Sequence, residues 1–406
     1  MSAAVFVGHD WAEDHHDIHI EDRDGTRLHV CRLEDGLDGV RRLHAVLAEF
    51  TNDPSEVLIA SETDRGLFIT AMVSAGYRVI ALNPMSTARY RERHSTSGAK
   101  SDRGDAHTLA AVARLDGHNH RLLEPDSALA EAIKHTARAH QNLIWTRQRQ
   151  LNQLRSVLRE FFPAVLATFP ELAHNDCLAT LAIAPTPTAA SKLGSARIAS
   201  ALRRGGRKRG ADAKAPRIRS ALQAEALRVP EQLEAAMGSH VLALVAVATE
   251  LSHQIDRLED ERAELLDQHP EAEIIRSIPG LGTKLGARLL GEFGDAPDRF
   301  PDARSRKNYA GTSPITKASG RTHLVIARRI RNSRLADTCH QWAFAAISHS
   351  PGARAFYDQR RHHGDSHNRA LRALSNRLVG IAHGCLTHQT PYDEHTAWGH
   401  RYGPVT

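Results

Sequence analysis

The first hundred or so residues alternate short apolar runs with amphipathic stretches, and this alternation restricts the possible fold more than any other feature. The runs "AAVFVGHD", "EVLIASE" (56–62) and "YRVIALNP" predict strands, and "DIHIEDRDGTRLHV" alternates around a "DRDG" turn as a β-hairpin does. The stretches "LDGVRRLHAVLAEF" and "GLFITAMVSAG" predict helices between them. Elements in this order predict a mixed α/β domain built around one sheet.

Two long helix-prone segments follow this region. Residues 126–162 keep apolar side chains near one face, and residues 231–268 repeat the pattern more regularly. In the second segment, leucines recur every seven residues: Leu244, Leu251, Leu258 and Leu265. This spacing is typical of a coiled coil. Two interpretations stay open, because the two helices could pack within one chain or pair between chains.

A basic insert near 165–220 separates the two helices. From Lys192 to Arg219 there are ten basic residues and one acid, Asp212, and the stretch "RRGGRKRG" lies at its centre. Dense positive charge with glycine predicts a flexible loop that binds phosphate backbones, through Arg207, Lys208 and Arg209 among others. A solvated linker is the alternative interpretation.

Four acids occupy positions where they could converge. Asp10 and Glu62 each end a predicted strand, and Asp102 and Asp105 open the predicted helix that follows "YRVIALNP". Four neighbouring carboxylates repel one another unless a divalent cation lies between them. Carboxylates that hold Mg²⁺, or Mn²⁺, are the apparatus of phosphoryl transfer. The sequence therefore predicts a metal site formed by these four residues.

A glycine-rich turn follows the second long helix. In "SIPGLGTKLGARLLGEFG" (277–294), Gly280 and Gly282 lie between two apolar helical segments, as in a helix-hairpin-helix. Such glycines let backbone N–H groups approach a phosphate at the start of the next helix, and Lys284 is placed to assist. The interpretation is a contact with DNA backbone; a plain helix–helix turn is the alternative.

The segment from Ala303 to Arg334 contains nine basic residues and no acid. Within "NYAGTSPITKASGRTH", Ser319 stands in an exposed loop between Lys317 and Arg321. A hydroxyl among cations could attack a phosphodiester whose developing charge those cations stabilise. The sequence chemistry leaves Ser313 and Ser333 as rival nucleophiles. Further candidate nucleic-acid-binding residues are Arg328, Arg329 and Arg331.

Three other features indicate an intracellular, cytoplasmic protein. The four cysteines are far apart and form no CxxC pair, which argues against a zinc ribbon or a disulfide framework. The N-terminus "MSAAVFVGHD" has no basic n-region, and the longest apolar run, "VLALVAVA", is too short to span a bilayer. The histidines of "HHGDSH" and the His15–His16 pair offer weaker metal-ligand sets without cysteine partners.

Taken together, these motifs resemble the DEDD transposases of the bacterial insertion-sequence IS-one-ten and IS-eleven-eleven group. The resemblance rests on the four acids, "SIPGLGTKLGARLL", "RKNYAGTSPITKASG" and the C-terminal "WAFAAISHSPGARAFYDQRR" and "ALRALSNRLVGIAHGCL". It implies a RuvC-like, RNase H-type domain at residues 1–120 and long helices or a coiled coil at 121–268. It further implies a mostly helical transposase domain at 269–395, followed by a tail at 396–406.

The resemblance also implies an activity. Asp10, Glu62, Asp102 and Asp105 would hold Mg²⁺, and Ser319 would be the nucleophile of a recombination that cuts and rejoins DNA through a serine–phosphate intermediate. The implied partners are the element-end and target DNA, a structured guide RNA and further copies of the chain in a dimer or tetramer, at the bacterial nucleoid. Two rival functions are a RuvC-like nuclease that uses metal-activated water and a non-enzymatic nucleic-acid-binding protein.

Overall fold

A computed structural model describes residues 3–94, 102–297, 299–320, 322–329 and 331–399. Contacts divide the chain into two compact units, Met1–Asp126 and Ser127–Thr406. The second unit contains both long helices and the C-terminal region, which the sequence analysis placed in separate domains. That finer subdivision stays a prediction.

The first unit is a mixed α/β domain, as predicted. Its strands are β1 (Val5–Trp11), β2 (His15–Glu21), β3 (Arg27–Glu34), β4 (Val57–Ser61) and β5 (Arg78–Ala81). Its helices are α1 (Leu37–Ala48), α2 (Leu67–Ser74), α3 (Pro84–His94) and α4 (Asp102–Asp116). The strands form one sheet in the order β3-β2-β1-β4-β5, in which β1 and β2 and then β2 and β3 are antiparallel, while β1, β4 and β5 are parallel. Helix α3 is an addition that the sequence analysis did not predict.

The sheet is covered on both faces, because side chains alternate along each strand. On one face, Val5, Val7 and Ile59 pack in a core with residues of α1 and α2. On the other face, Phe6 and Leu58 pack with residues of α4. This layout agrees with the RuvC-like domain that the family resemblance implies.

Among the residues that the structure describes, the second unit is helical apart from one small hairpin. Its elements up to the second long helix are α5 (Ala128–Phe161), α6 (Pro163–Thr168), α7 (Asn175–Ile183), α8 (Pro187–Ser191), α9 (Ser195–Arg204), α10 (Ala211–Leu222) and α11 (Glu231–Asp267). The remaining elements are α12 (Ala272–Ser277), α13 (Gly282–Phe293), α14 (Ala303–Ala310), β6 (Ile315–Ser319), β7 (Thr322–Ile326), α15 (Ser333–Ala346), α16 (Pro351–His362), α17 (His367–Thr387) and α18 (Glu394–Trp398).

The two long helices α5 and α11 pack against each other within one chain, in antiparallel directions. His140 near the start of α5 accepts a hydrogen bond from Arg262 near the end of α11 (3.0 Å), and Arg147 donates to Ser252 (3.1 Å). Of the heptad leucines, Leu244 is buried and the other three are half-buried. Intrachain packing therefore accounts for much of the apolar stripe, and pairing between chains stays a prediction.

Among the described residues, α11 is the one helix whose length and apolar composition would also suffice to cross a membrane. A long core helix meets the same criteria, and α11 lies along α5 with Ala248 and Ile255 buried.

The prediction of a flexible basic loop in the insert is wrong. Residues 163–222 form the five helices α6 to α10 around an apolar core that they share with α5 and α11. The core side chains recur at helical spacing, as with Ile198 and Leu202 on α9 and Ala215 and Ile218 on α10. The basic residues lie mostly on the outer faces of these helices, so their density concealed the apolar pattern.

The close contact between α4 and the sheet depends on a residue without a side chain. A Cβ atom at Gly8 in β1 would lie 1.8 Å from the carbonyl oxygen of Ala106 and 2.5 Å from the nitrogen of Ala110. Both atoms belong to the backbone of α4, so no side-chain rotation could relieve the clash. Only glycine at this position permits the observed spacing of helix and strand.

We therefore expect Gly8→Ala to destabilise the first unit by about 3 kcal/mol or more, since α4 would have to move off the sheet. Thermal unfolding followed by circular dichroism would measure the change. Gly384→Ala is the matched control, because nothing lies within 4 Å of a Cβ atom at that position in α17. A Gly8→Ala protein as stable as the unmodified chain would contradict this account of the packing.

Candidate functional site

Asp10 and Glu62 lie at the same end of two neighbouring parallel strands. Their register pairs His9 of β1 with Ser61 of β4, so Asp10 and Glu62 are the next residues along each strand. Alternation places both side chains on the face that α4 covers, the face of Gly8 and Ala60. Both residues are half-buried. The sheet thus brings two of the four predicted acids to one edge.

The start of α4 lies over this same edge. The C-terminal half of α4 packs on Phe6, and its backbone at Ala106 lies against Gly8, so the helix runs from the carboxyl end of β1 toward its beginning. Asp102 is the first residue of α4, and its side chain lies outside the part of the chain that the structure describes. The backbone of Asp102 therefore lies near the end of β1 that carries Asp10.

Asp105 is 3% exposed and lies beside one cation. Arg91 of α3 places its Nη2 atom 2.6 Å from Asp105 Oδ1. This ion pair lacks the alignment of a hydrogen bond, and Oδ1 is buried without a hydrogen-bonded donor among the described residues. A buried carboxylate oxygen in this state is a suitable ligand for a metal ion, and oxygen ligands are those that Mg²⁺ prefers. The donor set at this edge fits Mg²⁺.

A buried polar chain on the opposite face supports the ends of the same strands, and the sequence analysis missed it. His9 bonds Ser61 Oγ through Nδ1 (2.9 Å) and His16 Nδ1 through Nε2 (2.8 Å), and His16 Nε2 reaches Asp35 Oδ1 (3.1 Å). Burial and the neighbouring His16 lower the pKa of His9 to about 3. Both imidazoles stack on Phe68. These hydrogen-bonded side chains are brought together by the register of the strands, which local sequence patterns do not reveal.

Ser319 is the last residue of β6 and is exposed. The predicted loop is in fact a two-stranded antiparallel hairpin, in which Ser319 pairs with Thr322 of β7. Gly320 has a φ of +54° in the turn, a conformation that glycine adopts at no steric cost. Arg321, the next residue in the sequence, lies outside the described residues. The hairpin presents the Ser319 hydroxyl to solvent at its end.

The two rival serines differ from Ser319 in their surroundings. Ser313 Oγ donates to Asn308 Oδ1 (2.5 Å) and accepts from Arg328 Nε (3.3 Å), so its hydroxyl is part of an internal network. Ser333 is the first residue of α15, where it is exposed.

A basic cavity lies at the base of the hairpin. It has a volume of 520 Å³ and is lined by residues of α14, β7, α16 and α17 and their connections. Its basic lining residues are Lys307, Arg328, Arg360, Arg369, Arg372 and Arg377. Arg360 and Arg369 are paired with Asp365, whereas Arg372 is exposed. Most of these cations are not the ones that the sequence analysis named, since residues 360–377 lie far along the chain from Ser319.

Three of the other basic residues predicted to bind nucleic acid lie on the hairpin or shortly after it. Lys317, Arg329 and Arg331 are exposed. Arg331 donates to the Arg328 carbonyl (3.2 Å), and its side chain fills the space beside Gly311.

The glycine-rich turn joins α12 to α13. Gly280 has a φ of +82°, and a Cβ there would lie 2.6 Å from the backbone of Ala346 in α15, so close packing explains this glycine. Gly282 has open space around it, and Lys284 Nζ lies 2.7 Å from Glu259. The turn therefore has a structural role at Gly280, and phosphate binding at Gly282 and Lys284 stays a prediction.

Within the insert, Arg207 has a structural partner. It donates to both carboxylate oxygens of the buried Asp176, with its Nη2 2.6 Å from Oδ2, and Lys214 donates to the same oxygen (2.7 Å). Arg207 thus holds the turn between α9 and α10 against α7. Lys208 and Arg209 are exposed in this turn and keep the interpretation as phosphate contacts.

Sequence comparisons relate the chain to known transposases. Residues 7–163 match the profile of the DEDD transposases of the IS110 type, and residues 272–358 match that of the transposases of the IS116/IS110/IS902 family. A Streptomyces coelicolor protein named as a mini-circle transposase for IS117 is 43% identical over 402 residues, covering 98% of this chain and 97% of that protein. A 42 kDa protein of insertion element IS900 from Mycobacterium paratuberculosis is 28% identical, covering 97% of this chain and 98% of that protein.

The fold and the two matched regions define an insertion-sequence transposase with an acidic RuvC-like domain. The chain belongs to the IS116/IS110/IS902 family of transposases.

The buried His9 makes the stability of the fold sensitive to acid. Since its pKa is about 3 in the folded protein and about 6.5 when unfolded, the unfolded chain binds an extra proton at intermediate pH. We expect the free energy of unfolding to fall as pH drops below about 6.5, by up to about 1.4 kcal/mol per pH unit from this residue. His9→Gln removes the titration, so unfolding midpoints at about pH 7 and pH 5 should differ less than in the unmodified chain.

In His9→Gln the free energy of unfolding should still fall as pH drops, though less steeply. Burial also lowers the pKa values of His19 and His140 to about 4. Replacement of the exposed His118 by Gln is the control. An unchanged slope in His9→Gln would show that His9 does not titrate as proposed.

Proposed function

We propose that this transposase cuts and rejoins DNA through a covalent link to Ser319, assisted by Mg²⁺ held at the carboxylates of the first unit. The observation that carries the proposal is the convergence of Asp10 and Glu62 at one sheet edge, with the start of α4 over the same edge. The second supporting observation is an exposed serine at the end of a hairpin whose base lines a basic cavity.

Asp10, Glu62, Asp102 and Asp105 would hold the metal. Bound Mg²⁺ would activate the attacking oxygen and neutralise charge on the leaving one. The protein's own contribution is positioning: the register of β1 and β4 fixes Asp10 beside Glu62, and burial fixes Asp105 on α4. Arg91 beside Asp105 offsets carboxylate repulsion before the metal binds. Carboxylates set on rigid elements in this way need little rearrangement to bind an ion.

Ser319 would carry out the strand exchange. Its Oγ forms a bond to a DNA phosphorus while the bond from that phosphorus to a deoxyribose oxygen breaks, and the serine proton leaves as the released oxygen gains one. The phosphoserine keeps the energy of the broken phosphodiester. Attack by another DNA hydroxyl on the same phosphorus then frees Ser319 and rejoins the strand. Exposure of Ser319 supports this role, whereas the Ser313 hydroxyl is bound to Asn308.

The basic cavity and the exposed basic residues of the insert would hold nucleic acid. Arginines present planar donors that match phosphate oxygens, and the cavity collects several of them around one opening. We propose DNA as the partner at the cavity. A structured guide RNA, assembly into a dimer or tetramer, and location at the nucleoid in the bacterial cytoplasm belong to the same proposal, and rest on the family resemblance and the modest positive charge of the chain.

Replacement of Ser319 tests the covalent step. With element-end DNA, Mg²⁺ and flanking RNA, the unmodified protein should give a protein–DNA adduct that survives denaturation. Ser319→Ala should lose the adduct and at least about 10³-fold of strand exchange, because no other group supplies the nucleophile. Electrophoresis of labelled DNA under denaturing conditions measures both.

Ser313→Ala is the matched control, and it should keep the adduct. Asp105→Asn should lose the adduct while retaining DNA binding, since it removes a proposed metal ligand. Mg²⁺-dependent cleavage that persists in Ser319→Ala without any adduct would instead establish the nuclease that uses metal-activated water. Binding that is indifferent to Mg²⁺, with no strand breakage on any substrate, would support the non-enzymatic protein.

Replacement of an arginine in the cavity tests the nucleic-acid interface. Arg372→Gln should weaken DNA binding uniformly across sequences and reduce the dependence of the logarithm of the binding constant on the logarithm of salt concentration by about one. Fluorescence anisotropy over a salt series measures both. Arg354→Gln is the control, because Arg354 pairs with Asp358 on α16 and does not line the cavity. Equal binding by Arg372→Gln and the unmodified chain would exclude the cavity from the interface.

A further inference from the structure

A second group of potential metal ligands lies on the α4 face of the sheet, beside the carboxylate edge and separate from its four acids. His19 and Glu21 are on β2, two residues apart, so both side chains point to the same face. His107 of α4 faces them from above. One ligand atom from each of the three residues can be chosen such that all lie within 4.8 Å of one another.

The contacts among His19, Glu21 and His107 show three potential metal-ligand groups facing one another. His19 Nε2 lies 3.9 Å from Glu21 Oε2, too far for a hydrogen bond. The rings of His19 and His107 have centroids 4.7 Å apart and are tilted by 59°, so they do not stack. A separation near 4 Å is short enough for small side-chain rotations to bring both ligand atoms onto one ion. His19 and Glu21 are buried and His107 is exposed, which gives an ion a route from solvent.

Glu21 is already oriented for such a role. Arg114, also on α4, donates from Nε to Glu21 Oε1 at 2.8 Å, while Oε2 is the oxygen that lies 3.9 Å from His19 Nε2. A hydrogen bond from outside the ligand set that fixes a ligating carboxylate is the usual arrangement around bound metals.

The ligand chemistry separates this group from the carboxylate edge. Two imidazoles and one carboxylate suit Zn²⁺ and similar first-row transition ions, whereas Mg²⁺ prefers oxygen ligands. Three protein ligands leave a fourth position for water. Since His107 belongs to α4 and the other two ligands to β2, an ion here would join the helix to the sheet.

We propose that His19, Glu21 and His107 bind one transition-metal ion of the Zn²⁺ class, which clamps α4 onto β2. The clamp fixes the helix that begins with Asp102 and carries Asp105. The proposal is independent of the recombination chemistry, because metal binding is measured without DNA.

The test uses the full chain, stripped of metal and then supplied with excess Mg²⁺ to fill oxygen-ligand sites. Calorimetric titration with Zn²⁺ should show one tight site, and Co²⁺ at the same site should give the visible absorption of a four-coordinate ion with nitrogen ligands. His107→Ala should weaken Zn²⁺ binding at least about tenfold. Because His107 is exposed, this variant should fold normally, and circular dichroism without metal checks that it does.

His118→Ala is the matched control, since it removes another exposed histidine from the same unit. It should leave the Zn²⁺ affinity unchanged. The absence of tight Zn²⁺ binding, or equal affinity in the His107→Ala and unmodified proteins, would overturn the site and assign any binding to other histidines.

Hydrogen exchange then tests the clamp. Zn²⁺ should slow exchange of the α4 amides in the unmodified protein and leave them unaffected in His107→Ala. Tight binding that His107→Ala abolishes, without slower exchange in α4, would overturn the clamp and leave a surface site.

Discussion

The contact between α4 and β1 is the constraint on which the first unit depends. Gly8 removes the side chain that would otherwise separate helix from sheet, so the backbone of α4 lies directly on the strand. This spacing brings the start of α4 to the carboxyl end of β1, where Asp10 lies. It also brings His107 and Arg114 down to β2, where they meet His19 and Glu21. One glycine thus sets how closely α4 approaches both the carboxylate edge and the strand of the proposed clamp.

Local patterns in the sequence predicted the first unit well. The alternation of apolar residues and the "DRDG" turn identified β1 to β5 and the hairpin of β2 and β3, and the long helices α5 and α11 were likewise predicted and are present. These elements follow from side-chain periodicity, which is local information. The placement of Asp10 and Glu62 at strand ends also came from the sequence. Their adjacency required the parallel register of β1 and β4.

Features that depend on pairing between distant segments could not be predicted in this way. The chain of hydrogen bonds through His9, His16 and Ser61 exists because two strands flank β1 in a particular register. The cavity at the base of the β6–β7 hairpin draws cations from α16 and α17. In the insert, the apolar residues of α9 and α10 recur at helical spacing, but arginine and glycine are dense enough there to resemble a solvated loop. Net charge reports on partners and solubility, and says little about whether a segment folds.

The pairing of α5 with α11 has a geometric consequence. At 34 and 37 residues, these helices are roughly 50 and 55 Å long, and they carry two separate cores at opposite ends. The insert leaves α5 and re-enters α11 at one end, while the C-terminal core is built on the other. The helix pair therefore sets both the distance and the relative rotation between these cores. A single residue added to the middle of both helices would turn the residues on one side of the insertion by about 100° about each helix axis relative to those on the other side. The lengths of α5 and α11, and not only their packing, therefore set how the insert and the C-terminal core are oriented relative to each other.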